Sequence, residues 1–433
     1  MDSTNAVMKV RRPILGLLAA NTISQIGSML TVIALPWFVL QTTGSAAKTG
    51  LTGVFEALPF IIAGIFGGAL VDRIGFKRTS ILADLTSGAT VALVPLLYHT
   101  VGLAFWQLLA LALLGNLFNT PGNTARQSLV PELAAMAAMR LERANSFVQT
   151  VPRIATLLGP PLAGVLIAVM GASSVLWLDA ATFAVSAALI GALIPALATT
   201  DTEEKPPGRY VADLLEGLRF IWNEPVIRAT AILFAVGNFL DAPIGLLLSV
   251  YAIRTYHSAV PVGLIFAALG GGAVIGSLWF GAVGHRLSRR AIFALYCIPV
   301  AGMYATFAFT PPLAVLVIAV FIDGLAVGPV NPLSATITQE RVPVALRGRV
   351  QGMRVAISFM MIPLGRGVAG LLIDPVGLRA IFLTIAGCFL LVSLGAALAP
   401  AFRHMAAPDG SARPTLRHSA PGATPRPARH GRP

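Results

Sequence analysis

Three carboxylic acids lie inside long apolar segments of the sequence, where an ionisable group is costly to bury. They are Glu56, Asp241 and Asp323. A carboxyl group in such a place can bind a proton when water is excluded and release it when water enters. We therefore predict that one of these acids is a proton-coupling group, which binds a proton in one state of the protein and releases it in another. Asp241 is the first choice because Asn238 lies one helical turn away.

Amide side chains and one arginine in other apolar segments could bind the polar groups of a small molecule. Asn21 and Gln25 are four residues apart and so share one helical face. The same side chains would serve equally well as hydrogen-bonded links between helices. Arg366 needs a partner for its buried charge, and Asp323 is the preferred partner, ahead of Asp374 or an anionic substrate group. The candidates for a substrate cavity are Asn21, Gln25, Asn116, Asn119, Asn123, Asn238 and Arg366.

Motifs for covalent or cofactor chemistry are missing from the sequence. It has no phosphate-binding loop, and its six histidines are scattered without the spacing of metal ligands. The glycine-rich stretch 270–276 lies within an apolar segment, which is typical of close helix packing and not of a dinucleotide loop. The two cysteines, Cys297 and Cys388, read as small apolar residues. The sequence therefore predicts no enzyme, no cofactor and no metal site.

The elements that must position these side chains are membrane-spanning helices. Of the 433 residues 56% are hydrophobic and only 11% are charged, whereas soluble domains carry about 25% charged residues. The apolar residues form blocks of roughly 20, the length that spans a bilayer as a helix. We predict twelve spans, numbered in chain order: 14–40, 50–70, 78–99, 102–122, 146–169, 173–198, 226–250, 260–284, 289–309, 312–333, 350–373 and 377–400.

The net charge of +13 is placed as in a membrane protein and argues against a nucleic-acid partner. The predicted inner loops hold most lysines and arginines, whereas the outer loops hold only Lys48, Arg254 and Arg379. This bias predicts that both termini are cytoplasmic in the plasma membrane. Residues assigned to the inner side include Arg11, Arg12, Lys77, Arg78, Arg126, Arg140, Arg143, Arg289, Arg290 and Arg347.

An internal repeat divides the chain into two halves of six spans. The stretch 158–167 aligns with 364–373 at an offset of 206, and Pro131 aligns with Pro343 at an offset of 212. Parallel repeats of this kind place a substrate site near mid-membrane between the halves. The predicted organisation is a cytoplasmic N-terminal segment, two bundles joined by a linker with an amphipathic helix, and a disordered cytoplasmic tail. Their bounds are 1–13, 14–198, 199–225, 226–400 and 401–433.

The turn after predicted span 2 resembles the signature between spans 2 and 3 of the major facilitator superfamily. It reads Gly67-Gly68-Ala69-Leu70-Val71-Asp72-Arg73-Ile74-Gly75-Phe76-Lys77-Arg78. Asp72 stands among cations at a helix end, where we expect it to lock the inner ends of the two halves. Span 5 carries Gly159-Pro160-Pro161-Leu162-Ala163-Gly164, similar to the Gly-Pro signature of exporters in that superfamily. The residues expected to act in gating are Gly68, Asp72, Arg73, Gly75, Lys77, Arg78, Gly159, Pro160 and Gly164.

Three further stretches are similar to the branch of the superfamily that includes enterobactin exporters and macrolide efflux proteins. They begin at Ser128, Asp179 and Asp213. The resemblance implies an all-α membrane protein with two pseudo-symmetric six-helix bundles, in which spans 1, 4, 7 and 10 line the cavity. It also implies export of small amphipathic, drug-like molecules by proton antiport. We expect the transporter to be a monomer. An exporter of one siderophore or other natural product, a proton-coupled importer and a non-transporting membrane sensor remain as alternatives.

Overall fold

The computed structural model describes residues 2–195, 207–343 and 346–403. Side chains are described within these ranges except in 2–11, 60–73 and 207–214 and at Glu142, His285 and Arg403. All regular structure in this part of the chain is helical. The α-helices are α1 (Asp2–Thr43), α2 (Ala46–Ile74), α3 (Phe76–Thr100), α4 (Phe105–Leu117), α5 (Asn119–Met136), α6 (Leu141–Met170), α7 (Ala172–Leu193), α8 (Pro207–Asn223), α9 (Pro225–Asp241), α10 (Ile244–Thr255), α11 (Val260–Val283), α12 (Arg289–Leu295), α13 (Cys297–Ala308), α14 (Leu313–Val327), α15 (Val330–Arg341), α16 (Arg347–Val376), α17 (Leu378–Leu398) and α18 (Pro400–Arg403).

These helices supply all twelve predicted spans. Ten stretches of the described residues are long and apolar enough to cross a membrane. The other two predicted spans are span 2, which corresponds to α2, and span 4, which corresponds to α4 followed by α5. Spans 7, 9 and 10 are also made of two consecutive helices each: α9 with α10, α12 with α13, and α14 with α15. The predicted all-α fold with two six-helix bundles is confirmed.

The two bundles meet along pairs of helices that correspond under the internal repeat. Helix α2 of the first bundle packs on α16 of the second, and α6 of the first packs on α11 of the second. In span numbers these contacts are 2 with 11 and 5 with 8. The pseudo-twofold relation between the halves therefore appears directly in the interface.

The bundles are closed against each other at one end of the molecule. We call the end that carries α8 the linker end and the opposite end, where α1 passes into α2, the far end. A Cβ atom added to Gly50 would lie 2.7 Å from Cα of Gly370, and one added to Gly164 would lie 2.8 Å from the carbonyl oxygen of Ala259. These glycines lie in the far halves of their helices, so backbone meets backbone there and side chains are excluded.

Helix α8 joins the bundles at the linker end and packs on the first turns of α16. Glu216 forms an ion pair with Arg349, and a Cβ added to Gly217 would lie 2.7 Å from the carbonyl oxygen of Arg349. Ile221 is fully buried, whereas Trp222 is exposed. The helix therefore has one face on the second bundle and an exposed apolar side chain, as suits the surface of a membrane.

Candidate functional site

A cavity of about 530 Å³ lies between the two bundles. Its walls come from spans 1, 2, 3, 4 and 6 of the first bundle and spans 7, 8 and 11 of the second. Cavities of about 300–1,000 Å³ with mainly apolar walls and a few polar groups are typical of small-molecule sites. The polar and charged residues of the wall are Gln25, Ser28, Thr31, Thr49, Glu56, Ser87, Thr90, Asn116, Asn119, Asn123, Asp179 and Arg366.

Four of the predicted amide residues line this cavity in one group. Nε2 of Gln25 donates to Oδ1 of Asn123 over 3.4 Å, and Nδ2 of Asn123 donates to Oδ1 of Asn119 over 2.9 Å. Asn116 donates to the carbonyl oxygen of Ala112, one turn earlier in α4. Spans 1 and 4 thus present a hydrogen-bonded row of amides to the cavity.

Arg366 reaches across the interface to the opposite bundle. Its Nη1 lies 3.1 Å from the carbonyl oxygen of Gly53 and 3.4 Å from Oε2 of Glu56, both on α2. The prediction that Asp323 or Asp374 is the partner of Arg366 was wrong. Arg254 is the ion-pair partner of Asp374. Gly53 explains the outcome, because a Cβ at that position would lie only 2.9 Å from Cδ of Arg366.

Asp241 and Asp323 belong to a second polar group, inside the second bundle. The hydroxyl of Tyr304 donates a 2.8 Å hydrogen bond to Oδ1 of Asp241. Asp241 is exposed and directly precedes Ala242, a residue of the cavity wall. Asp323 is 4% exposed, and its Oδ1 has no hydrogen-bond partner among the described residues. Asp323 lies in α14, which packs on α13, the helix that carries Tyr304.

The remaining predicted amides hold helices together. Asn238 donates to the carbonyl oxygen of Ser358 over 3.2 Å, within the second bundle. Asn21 is buried and accepts a hydrogen bond from Nη1 of Arg126. Neither residue contributes to the wall of the 530 Å³ cavity.

Arg126 is not a loop residue, and its assignment to the inner surface was wrong. It is buried in α5, where it forms an ion pair with Asp84 of α3 and donates to Ser80 over 3.0 Å. Ser186 of α7 donates to the other oxygen of Asp84. The carboxylate makes burial of the guanidinium tolerable, which a count of basic residues along the sequence could not show.

Asp179, which the sequence analysis did not include among the candidate site residues, belongs to the cavity wall. It lies on span 6, which is not one of the four spans expected to line the cavity, but α7 packs directly on α1. Thr31 of α1 and Thr182 donate to its carboxylate. Gly27 faces Asp179 and Thr182 without a side chain. An acid within a strongly apolar stretch was the available signal.

The structure describes part of the predicted signature in the turn between spans 2 and 3. Gly75 has φ of +87° between α2 and α3, a conformation that suits glycine. Nζ of Lys77 donates to the carbonyl oxygens of Gly191 and Ile194 at the end of α7, and Arg78 is exposed. The side chains at Gly68, Asp72 and Arg73 lie outside those described, so the lock expected at Asp72 stays a prediction.

The Gly-Pro signature of span 5 lies at the closed interface. Pro160 sits within α6, and its carbonyl oxygen would lie 2.6 Å from a Cβ added to Gly263 of α11. Gly159 faces Met29 of α1, and Gly164 faces α11. Span 5 therefore contacts both its own bundle and the opposite one through residues without side-chain bulk.

Two helical bundles around an interfacial cavity are the architecture of membrane transporters built from parallel repeats. The sequence profile of the Major Facilitator Superfamily matches residues 17–362 and, again, residues 240–429. The chain belongs to this superfamily, and it is a multi-pass protein of the cell membrane that carries small molecules.

Proteins with similar sequences include named efflux proteins. Multidrug efflux pump Tap of Mycolicibacterium fortuitum is 32% identical over 398 residues, which cover 91% of this chain and 97% of Tap. Macrolide efflux protein A of Streptococcus pyogenes is 23% identical over 373 residues, which cover 84% and 90% of the two chains.

Two solved structures show the same fold at low identity. The nucleoside transporter NupG has a TM-score of 0.72 at 15% identity and covers 90% of this chain and 98% of its own. The D-xylose-proton symporter has a TM-score of 0.66 at 16% identity and covers 92% of this chain and 98% of its own. These similarities show the architecture alone.

Proposed function

We propose that this protein is a secondary active exporter of small amphipathic molecules of the drug or antibiotic type, driven by proton antiport. The observation that carries the proposal is the cavity between the bundles, with its amide row on one side and the Glu56–Arg366 contact on the other. Apolar walls with few polar groups suit ligands of varied shape. The similarity to Tap along 91% of the chain supports export of drugs.

Proton coupling is assigned to the acids of the second bundle, with Asp241 as the first choice. Asp241 stands beside the cavity wall and accepts a hydrogen bond from Tyr304, while Asp323 is buried nearby. Two neighbouring carboxyl groups share protons more readily than they both ionise. Glu56 is a weaker candidate because Arg366 compensates its charge.

We assign the linker end to the cytoplasm, on the positive-inside bias. Closure at the far end then corresponds to a state shut towards the outside. Alternating access requires the contacts between Gly50 and Gly370 and between Gly164 and Ala259 to open while the linker end closes. The protein acts as a monomer in this proposal, since the cavity is built by one chain.

The test uses purified protein in liposomes with ethidium as the fluorescent probe. We expect ethidium movement that requires an imposed pH gradient and is coupled to proton movement in the opposite direction. Expression in an efflux-deficient strain separates the substrate classes, since resistance to many compounds supports a multidrug exporter. Probe movement in the same direction as protons, or no movement of any of a panel of amphipathic probes, would contradict the proposal.

A further inference from the structure

We infer that Glu56 is the charge-recognition residue for cationic substrates, and that a bound cation displaces Arg366 and loosens the far-end interface. This inference rests on the proposed function, because it names the substrate class and the residue that selects it. It assigns to the Glu56–Arg366 contact a role as an exchangeable ion pair, and not as a permanent link.

The charges of the cavity wall favour a cation. Glu56, Asp179 and Arg366 are the charged residues of that wall among the described residues. The wall therefore carries one more carboxyl group than guanidinium groups, and the ammonium group of a substrate can balance that carboxylate. Asp179 is 1% exposed and already accepts hydrogen bonds from Thr31 and Thr182, so Glu56 is the acid within reach of a ligand.

The contact between Glu56 and Arg366 is loose enough to exchange. The distance of 3.4 Å between Nη1 and Oε2 exceeds the 2.7–2.9 Å of a strong charge-assisted hydrogen bond. The Arg366 side chain is 32% exposed and that of Glu56 is 18% exposed, both towards the cavity that they line. Replacing the guanidinium by a substrate cation leaves the carboxylate compensated. The displaced guanidinium keeps its contact with the carbonyl oxygen of Gly53 and its exposure to the cavity.

The same contact ties the two bundles together where they close. Arg366 also binds the carbonyl oxygen of Gly53, and Gly367 packs on Val54. One turn further towards the far end, Gly50 meets Gly370. A cation that binds Glu56 in place of Arg366 removes one of the links between α2 and α16. Substrate binding therefore favours the state that is open at the far end.

The first test measures ethidium binding to detergent-purified protein by fluorescence. Glu56→Gln should weaken ethidium binding roughly tenfold or more, because a charged acceptor is lost. Arg366→Gln should strengthen it, because the competing cation is gone, and Arg366→Lys should resemble wild type. The matched control is Arg254→Gln, which breaks a pair of the same 3.4 Å length that lies within the second bundle.

The second test measures far-end closure by disulfide formation between Val54→Cys and Gly367→Cys, in protein that carries Cys297→Ala and Cys388→Ala. Ethidium should slow cross-linking, and Glu56→Gln should remove that effect. The inference fails if Glu56→Gln protein binds ethidium as wild type does, or if Arg366→Gln weakens ethidium binding as much as Glu56→Gln. Ethidium binding is measured in detergent, where there is no pH gradient. A lack of ethidium flux in liposomes would therefore contradict the proposed function but not this inference.

Discussion

The hydroxyl of Tyr304 on span 9 donates a 2.8 Å hydrogen bond to the carboxylate of Asp241 on span 7. Tyr304 is fully buried and stacks on Phe389, with ring centroids 5.9 Å apart. The tyrosine therefore has a fixed position, and its hydrogen bond orients the Asp241 carboxylate inside the second bundle, one residue before Ala242 of the cavity wall. A proton carrier needs such a defined orientation when the helices around it move.

Asp241→Asn should abolish gradient-driven export while substrate binding persists, because an amide cannot release a proton in this range of pH. Tyr304→Phe should reduce export by roughly one order of magnitude, since a hydrogen bond to a charged group contributes about 1.5–3 kcal/mol. Export is measured as flux in liposomes, and coupling is measured as substrate-induced proton release from purified protein.

Tyr251→Phe is the control for this pair, because Tyr251 is buried and packs against Phe307 and Phe382. It should release protons as wild type does. Unaltered proton release from Asp241→Asn, together with unaltered release from Asp323→Asn, would show that coupling resides at another group.

A second prediction concerns the buried ion pair of the first bundle. Asp84→Asn should destabilise the protein by about 3–5 kcal/mol, because it leaves the buried guanidinium of Arg126 without a countercharge. Glu340→Gln breaks the more exposed contact with Arg289 and should cost about 0–1 kcal/mol. Thermal unfolding in detergent compares the two variants. Equal losses of stability would refute the distinction between buried and exposed pairs here.

The spans and their division into two corresponding halves followed from hydropathy and from the internal repeat, because both are recorded in the order of residues. The partner of Arg366 was not accessible in this way. Glu56 lies 310 positions away, and only the packing of α2 on α16 brings the two together. Arg126 was misplaced for a related reason, since a guanidinium within reach of Asp84 can be buried and its sequence neighbours do not reveal that acid.

The third prediction addresses closure at the far end. Gly164→Ala should reduce transport severalfold, because its Cβ would lie 2.8 Å from the carbonyl oxygen of Ala259 and 3.3 Å from Cα of Gly263. The contact is with backbone, so the helices must separate to accommodate it. Gly387→Ala on α17 is the control, since nothing lies within 4 Å of its added Cβ. Flux in liposomes should be clearly lower for Gly164→Ala than for Gly387→Ala. Equal flux of the two variants would show that transport does not require the close approach of α6 and α11.

The last prediction concerns Arg354, a buried cation in the second bundle that the sequence analysis did not single out. It is 8% exposed, and it donates to the hydroxyls of Thr338 and Ser334. Its guanidinium lies 5.9 Å from the ring centroid of Phe234. Its Nε has no hydrogen-bond partner among the described residues. The repeat at offset 212 aligns Thr338 with Arg126, so each bundle holds one guanidinium near this position.

The same substitution should destabilise the protein at Arg126 and should not destabilise it at Arg354. Arg126→Met leaves Asp84 buried without its cation and should cost about 3–5 kcal/mol. Arg354→Met removes a desolvated charge whose contacts among the described residues are two hydroxyls and a ring, so stability should be unchanged or raised by about 1–2 kcal/mol. Thermal unfolding of both variants in one detergent measures the difference. A loss at Arg354 as large as that at Arg126 would contradict this reasoning, because it would mean that the Arg354 charge is compensated by interactions stronger than those of two hydroxyls and a ring.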